Sequence, residues 1–180
     1  MVNRNNIVPL SEAAVLSTQW KDADGKIISN PELIQWISDS RYEILNGTKQ
    51  LIIGTDSHRH GNFYWFITVV CLYQAGRGGY YYYNKTQTNR LEFRGASQSA
   101  RVRARMFHEA TLAIELATEI QEKTGFAPIV HMDASPTGSH ELTAAFSEDL
   151  KGYAIASGFE AVVKPWAFVS SGIANKHTKA

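Results

Sequence analysis

The sequence predicts an α/β protein with a mixed sheet, in the element order βββαβαβα. Three observations carry that expectation. The run Leu51-Ile52-Ile53-Gly54-Thr55-Asp56-Ser57 and the later run Ile129-Val130-His131-Met132-Asp133 are short and apolar and are bounded by turn signals, as buried strands are, and each closes on a carboxylate. Two further strand-like runs, Phe63 to Tyr73 and Tyr80 to Tyr83, stand between them, joined by Gly-containing turns. Apolar residues then recur at three- and four-residue spacing from Met106 to Ile120, which is the period of a long helix. A meander followed by alternating helix and strand makes the later strands parallel, through right-handed crossovers.

Taken in order, residues 1–29 are weakly patterned, with turn residues Pro9, Asp22, Asp24 and Gly25, and read as an irregular arm. Asn30-Pro31-Glu32 starts a short helix, with Asn30 at the cap and Pro31 at the first helical position. Residues 1–49 are thus an arm and short helix packed on a domain of residues 50–180. His58-Arg59-His60-Gly61-Asn62 is turn-rich, and Asn84 to Gly95 has no clear period and reads as a loop. The long helix runs from about Ala96 to Lys123 and is closed by Gly125. A helix over Ser139 to Ser157, a fifth strand over Phe159 to Pro165 and a last helix over Val169 to Lys179 complete the chain.

Composition narrows the class. With 180 residues and ordinary apolar and charged fractions, the chain forms one domain with a real core. A net charge of +1 makes any electrostatic argument local. Cys71 is the single cysteine and lies in an apolar run, which excludes an internal disulfide and a cysteine zinc finger. No window approaches the ~18 apolar residues of a membrane span. The N-terminus lacks the apolar stretch of a signal peptide, so a cytoplasmic protein without membrane partners is expected.

The chemistry centres on carboxylates. If the first and fourth strands lie side by side and parallel, Asp56 and Asp133 meet at the same end. Two such groups repel, and either share a proton or bind a cation. Oxygen ligands without thiolate suit Mg²⁺ or Mn²⁺. Two such ions about 4 Å apart clamp the attacking and leaving oxygens of a phosphodiester displacement. Glu109 falls on the apolar face of the long helix, where an acid is paired, exposed or liganding, whereas Glu115 and Glu119 fall on the polar side. Lys85, Arg90, Arg94, Arg101, Arg103 and Arg105 form a basic patch against Glu92 alone. With the four tyrosines at 80–83, this patch suits a nucleic-acid strand; a solvated helix face is the plain alternative. His58, His60 and His131 alternate with Asp56 and Asp133, as in a zinc hydrolase, but the turn at Gly61-Asn62 ranks zinc below magnesium.

These residues resemble a known group. Ile53-Gly54-Thr55-Asp56-Ser57, the helix bearing Glu109, His131-Met132-Asp133 and the tail from Lys164-Pro165-Trp166 through Asn175-Lys176-His177 resemble the bacterial YkuK-type ribonuclease H-like family, from about Gln50 onward. The resemblance implies a ribonuclease H-like fold, with a mixed five-stranded sheet in 3-2-1-4-5 order and helices on both faces. It also implies two-metal nuclease chemistry on RNA, DNA or hybrid. Metal ligands would be Asp56, Glu109, Asp133 and Asn175, and His177 would assist as ligand or in release. Asn175 departs from the pattern, since an Asp is expected there. The second expectation is a domain of the same fold that binds nucleic acid or a protein without cutting. Oligomeric state is not readable from the sequence.

Overall fold

A computed structural model describes residues 19–95, 97–140 and 142–178. Residues 1–18 of the expected arm, Ala96 at the expected helix start, and Lys179 lie outside the described residues. The strands are β1 (Gln19–Lys21), β2 (Ile27–Ser29), β3 (Gln50–His60), β4 (Phe63–Gln74), β5 (Gly78–Asn89), β6 (Ile129–Met132) and β7 (Ala161–Val163). The helices are α1 (Asn30–Asp39), α2 (Arg41–Leu45), α3 (Gln98–Thr124), α4 (Ser147–Ala156) and α5 (Asn175–Thr178). A π-helical turn over Val169–Ala174 leads into α5, and short 3-10 turns cover Arg90–Phe93 and Leu142–Phe146.

The α/β class and the mixed sheet are as expected, but the five-stranded count and its order are corrected. The sheet has seven strands in the order β2-β1-β5-β4-β3-β6-β7. The additional pair is a hairpin from residues 19–29, the segment read as irregular. Each of its strands is only three residues long, too short to display alternation, yet Trp20 and Ile28 are buried. β1 joins β5 at Lys21↔Tyr83. The five strands from Gln50 onward lie consecutively within the larger sheet.

Other boundaries move for local reasons. α1 is capped by Ser29, one residue before Asn30, and Glu32 accepts hydrogen bonds from both the Ser29 backbone N–H and its hydroxyl at 2.7 Å. β3 does not stop at Ser57. Gly61 takes φ 60° and makes a tight hairpin, so His58 to His60 are strand, paired with Phe63 to Trp65. β5 likewise continues to Asn89, through polar residues whose strand character comes from pairing with β4.

β3 is central, with antiparallel β4 on one side and parallel β6 on the other. Being covered on both faces, it reads as a near-continuous apolar run. Leu51, Ile53, Val70, Leu72, Val130 and Met132 face a core completed by α1, α3 and α4. Ile52, Ile67, Val69 and Cys71 face the opposite way, against Val169 and Ala174 of the C-terminal segment. That segment rests directly on the sheet at Gly54. A Cβ there would lie 2.7 Å from the Ser170 backbone nitrogen.

Candidate active site

Asp56 and Asp133 are brought together by strand register. Gly54 pairs with His131 and Thr55 with Met132, so the next step along the parallel strands sets Asp56 beside Asp133. Alternation puts Ile52, Gly54 and Asp56 on the face beneath the C-terminal segment, and Thr55 and Ser57 on the face toward α3. Asp56 is 7% exposed. Burial, and then the neighbouring Asp133 carboxylate, push it up to about 6, against smaller opposing effects of the Ser57 backbone N–H, Arg105 and Lys164. Asp133 forms an ion pair with Lys164, Nζ to Oδ1 2.9 Å, whose geometry falls short of a hydrogen bond.

Glu109 is buried and paired. Its Oε1 accepts hydrogen bonds from the Ser57 hydroxyl at 2.6 Å and from Arg105 Nη1 at 2.9 Å. The same Arg105 nitrogen donates to Ser57 Oγ at 2.7 Å and to the Ser57 carbonyl at 3.1 Å. Burial nonetheless pushes Glu109 up to about 8, with Arg105 pulling down and Asp56 pushing further up. A cavity of about 10 Å³, the size of roughly one water, lies against Thr55, Glu109, His131 and Asp133.

His131 sits beneath the pair as a neutral ring. Burial pushes it down to about 4, its Nδ1 accepts the Val169 N–H at 3.3 Å, and its edge meets Phe168. It therefore seats the C-terminal segment. His58 and His60 are exposed strand residues, so the structure does not gather the three histidines of the zinc reading.

Among the described residues, no three His, Cys, Asp or Glu side chains are gathered in metal-holding geometry. The donor set still suits a hard divalent cation. It offers carboxylate oxygens only, and one pair is held in mutual repulsion by the fold. Arg105 pairs with Glu109 and Lys164 with Asp133, so each of these acids has a cationic neighbour.

Asn175 donates its side-chain amide to the Ser171 carbonyl at 3.2 Å. His177 stacks on Tyr83 with centroids 3.9 Å apart, and its Nε2 lies 3.1 Å from the Tyr81 hydroxyl. Its own burial, then Lys176 and Lys85, hold it below the usual histidine range. The structure thus brings Asp56 and Asp133 together, attaches Glu109 through Ser57 and Arg105, and places His177 with the tyrosines.

The basic residues do not share one environment. Lys85 lies over the Trp65 ring at 4.8 Å, and Arg101 donates to the Gly95 carbonyl. Arg103 pairs with Asp149 at 3.2 Å, and Arg105 belongs to the Glu109 cluster. Arg90 and Arg94 are exposed. Nor do the four tyrosines form one surface: Tyr81 and Tyr83 lie under His177, Tyr82 packs edge-on against Trp36, and Tyr80 is exposed.

Sequence reasoning missed Ser57 as Glu109's donor and Lys164 as Asp133's partner. Arg105 had a readable signal, because a residue four positions before Glu109 shares its helix face. Lys164 had none, since only β6–β7 pairing brings it near.

The fold is a mixed α/β sheet with paired acids at the ends of adjacent parallel strands. The family model described as Ribonuclease H-like matches residues 32–179, and the chain belongs to that family, in its YkuK-type branch. No curated protein and no solved structure matches the chain. No helix among the described residues is long and apolar enough to cross a membrane.

The Asp56 environment predicts a pH effect on stability. A carboxyl held above its unfolded value contributes most below that value, and its contribution is lost as pH rises through the folded value. For Asp56 the window runs from 3.8 to about 6. At ~1.4 kcal/mol per unit, metal-free wild type should lose roughly 3 kcal/mol relative to Asp56→Asn across it. Urea unfolding of both proteins at about pH 4 and pH 7 measures the difference; parallel stability curves would contradict it.

Proposed function

We propose that the protein is a divalent-metal-dependent nuclease that hydrolyses phosphodiester bonds, with Mg²⁺ or Mn²⁺ as the metal. Family membership supports this reading. The observation that carries it is the buried Asp56 set beside Asp133, two carboxylates that stability alone would keep apart. Asp56 and Asp133 would hold the metal, and Glu109 would join them on leaving Arg105. A second ion, in a two-metal arrangement, would depend on Asn175, whose neutral amide lends it only a carbonyl oxygen.

When bound, the metal would supply an activated water and stabilise charge developing on the phosphate. The chain's own groups set the stage. Burial keeps bulk water from Asp56 and strengthens every charge interaction there. Arg105 orients Glu109 and Ser57 together, and Lys164 balances the charge of Asp133.

Those two internal ion pairs also favour a second reading, a domain that binds nucleic acid without cutting. Labelled single-stranded, duplex, hybrid and junction substrates, each with Mn²⁺, Mg²⁺ or EDTA, separate the two. Cutting that requires metal is expected. Binding without cutting by folded, metal-saturated protein would select the second reading.

A further inference from the structure

Beyond the carboxylates, the β3–β4–β5 sheet runs on past the part covered by the C-terminal segment. Directly opposed residues of antiparallel strands project on the same face, so register gives the make-up of this extension. Asp56 stands opposite Ile67, which stands opposite Lys85. The next row on that face is His58, Trp65 and Gln87, and the last is His60, Phe63 and Asn89. Of these, His58, His60, Phe63, Lys85, Gln87 and Asn89 are exposed, and Trp65 is half-buried beneath the Lys85 ammonium. This surface is continuous with the Asp56 face and is separate from the helical arginines.

Its charge is one-signed. From Ser57 to Leu91 the chain contains no acidic residue, and the charged side chain that register puts on this face is Lys85. Aromatic rings, amides, imidazoles and a lysine, without a carboxylate, fit a ligand with flat apolar faces and a regular negative charge.

We propose that this sheet extension is a binding platform for single-stranded nucleic acid, in which Lys85 swings off the Trp65 ring to a phosphate and a base takes its place on that ring. The proposal rests on the nuclease reading for the use of the site, since it would lead a strand toward Asp56. Single strands fit because their base faces are open, whereas a duplex hides them in its own stack. Gln87 supplies a donor and an acceptor to base edges, and Asn89, whose Oδ1 accepts the Leu91 N–H, supplies an amide donor, without fixing a sequence.

The test is fluorescence anisotropy of a labelled twelve-nucleotide single strand, as RNA and as DNA, against the same sequence annealed as a blunt duplex. EDTA is present throughout, so no cutting is needed for a signal. Either single strand should bind on the order of tenfold or more tighter than the duplex. Trp65→Ala should weaken single-strand binding about tenfold, and Trp65→Phe should restore most of it. Lys85→Gln, on an exposed site that leaves folding intact, should reduce the slope of log affinity against log salt by about 1. The preferred single strand, RNA or DNA, names the source. Equal or tighter duplex binding, no binding, or an unchanged salt slope in Lys85→Gln would overturn the platform. Binding here without metal-dependent cutting would refute only the nuclease reading, and cutting without binding here would refute only the platform.

Discussion

Asp56→Asn, Asp133→Asn should lose metal-dependent cleavage by on the order of 10³-fold while gaining stability in the absence of metal. The two effects share one cause. The fold holds two carboxylates side by side where burial penalises their charge, and Asp133 raises Asp56 further. Amides of nearly the same shape remove the repulsion and most of the desolvation cost, so the metal-free protein should melt higher. They also remove the charge that would attract a divalent cation, so the melting-temperature rise expected from Mn²⁺ in wild type should be absent from the variant. Cleavage assays and thermal melts with and without Mn²⁺ read both arms. A variant that still cuts, or that melts lower than wild type without metal, would show that these acids are structural partners.

Gly54→Ala should cost roughly 2–3 kcal/mol, a large effect for one methyl group. The added Cβ would meet the Ser170 nitrogen at 2.7 Å and the Ser170 Cα and Cβ at 3.1 Å. These are largely backbone atoms of a fully buried residue, so no flexible side chain can move aside. β3 cannot yield either, being paired on both edges. The strain should therefore lift the segment from Val169 onward, loosening the Val169–His131 bond and the His177–Tyr83 stack. Urea unfolding gives the free energy, and hydrogen exchange at amides 169–178 locates it. A loss below about 0.5 kcal/mol, within the range of an ordinary surface change, would mean the contact relaxes freely.

Elements with strong local pattern were legible from the sequence. β3, β4, β6 and α3 each carry enough apolar residues at one period to be read alone, and Asp56, Glu109 and Asp133 were found because they interrupt or end those patterns. What escaped depends on distant residues. β1 and β2 are strands only because they pair with each other and with β5. Residues 84–89 look like a loop because their polarity suits an outer face, and pairing with β4 makes them strand. His58 to His60 were read as turn because Gly61 and Asn62 are strong turn formers, although a two-residue hairpin leaves its flanks extended. The charge balance was hidden too. Arg105 has the look of a phosphate contact in the sequence, but its Nη1 holds Ser57 and Glu109, and Lys164 meets Asp133 across 31 residues of separation (164 − 133).

The two neighbours of β3 differ in how they can be reached during folding. β3 and β4 are joined by a two-residue turn at Gly61-Asn62, so their hairpin can zip from local contacts. β6 reaches β3 only after the chain has passed through β4, β5 and α3, and that pairing closes a long loop against chain entropy. A hairpin that zips first would place Asp56 before Asp133. In that order their mutual repulsion would be absent from the hairpin and would fall on the final closure of the sheet, after most of the structure is built.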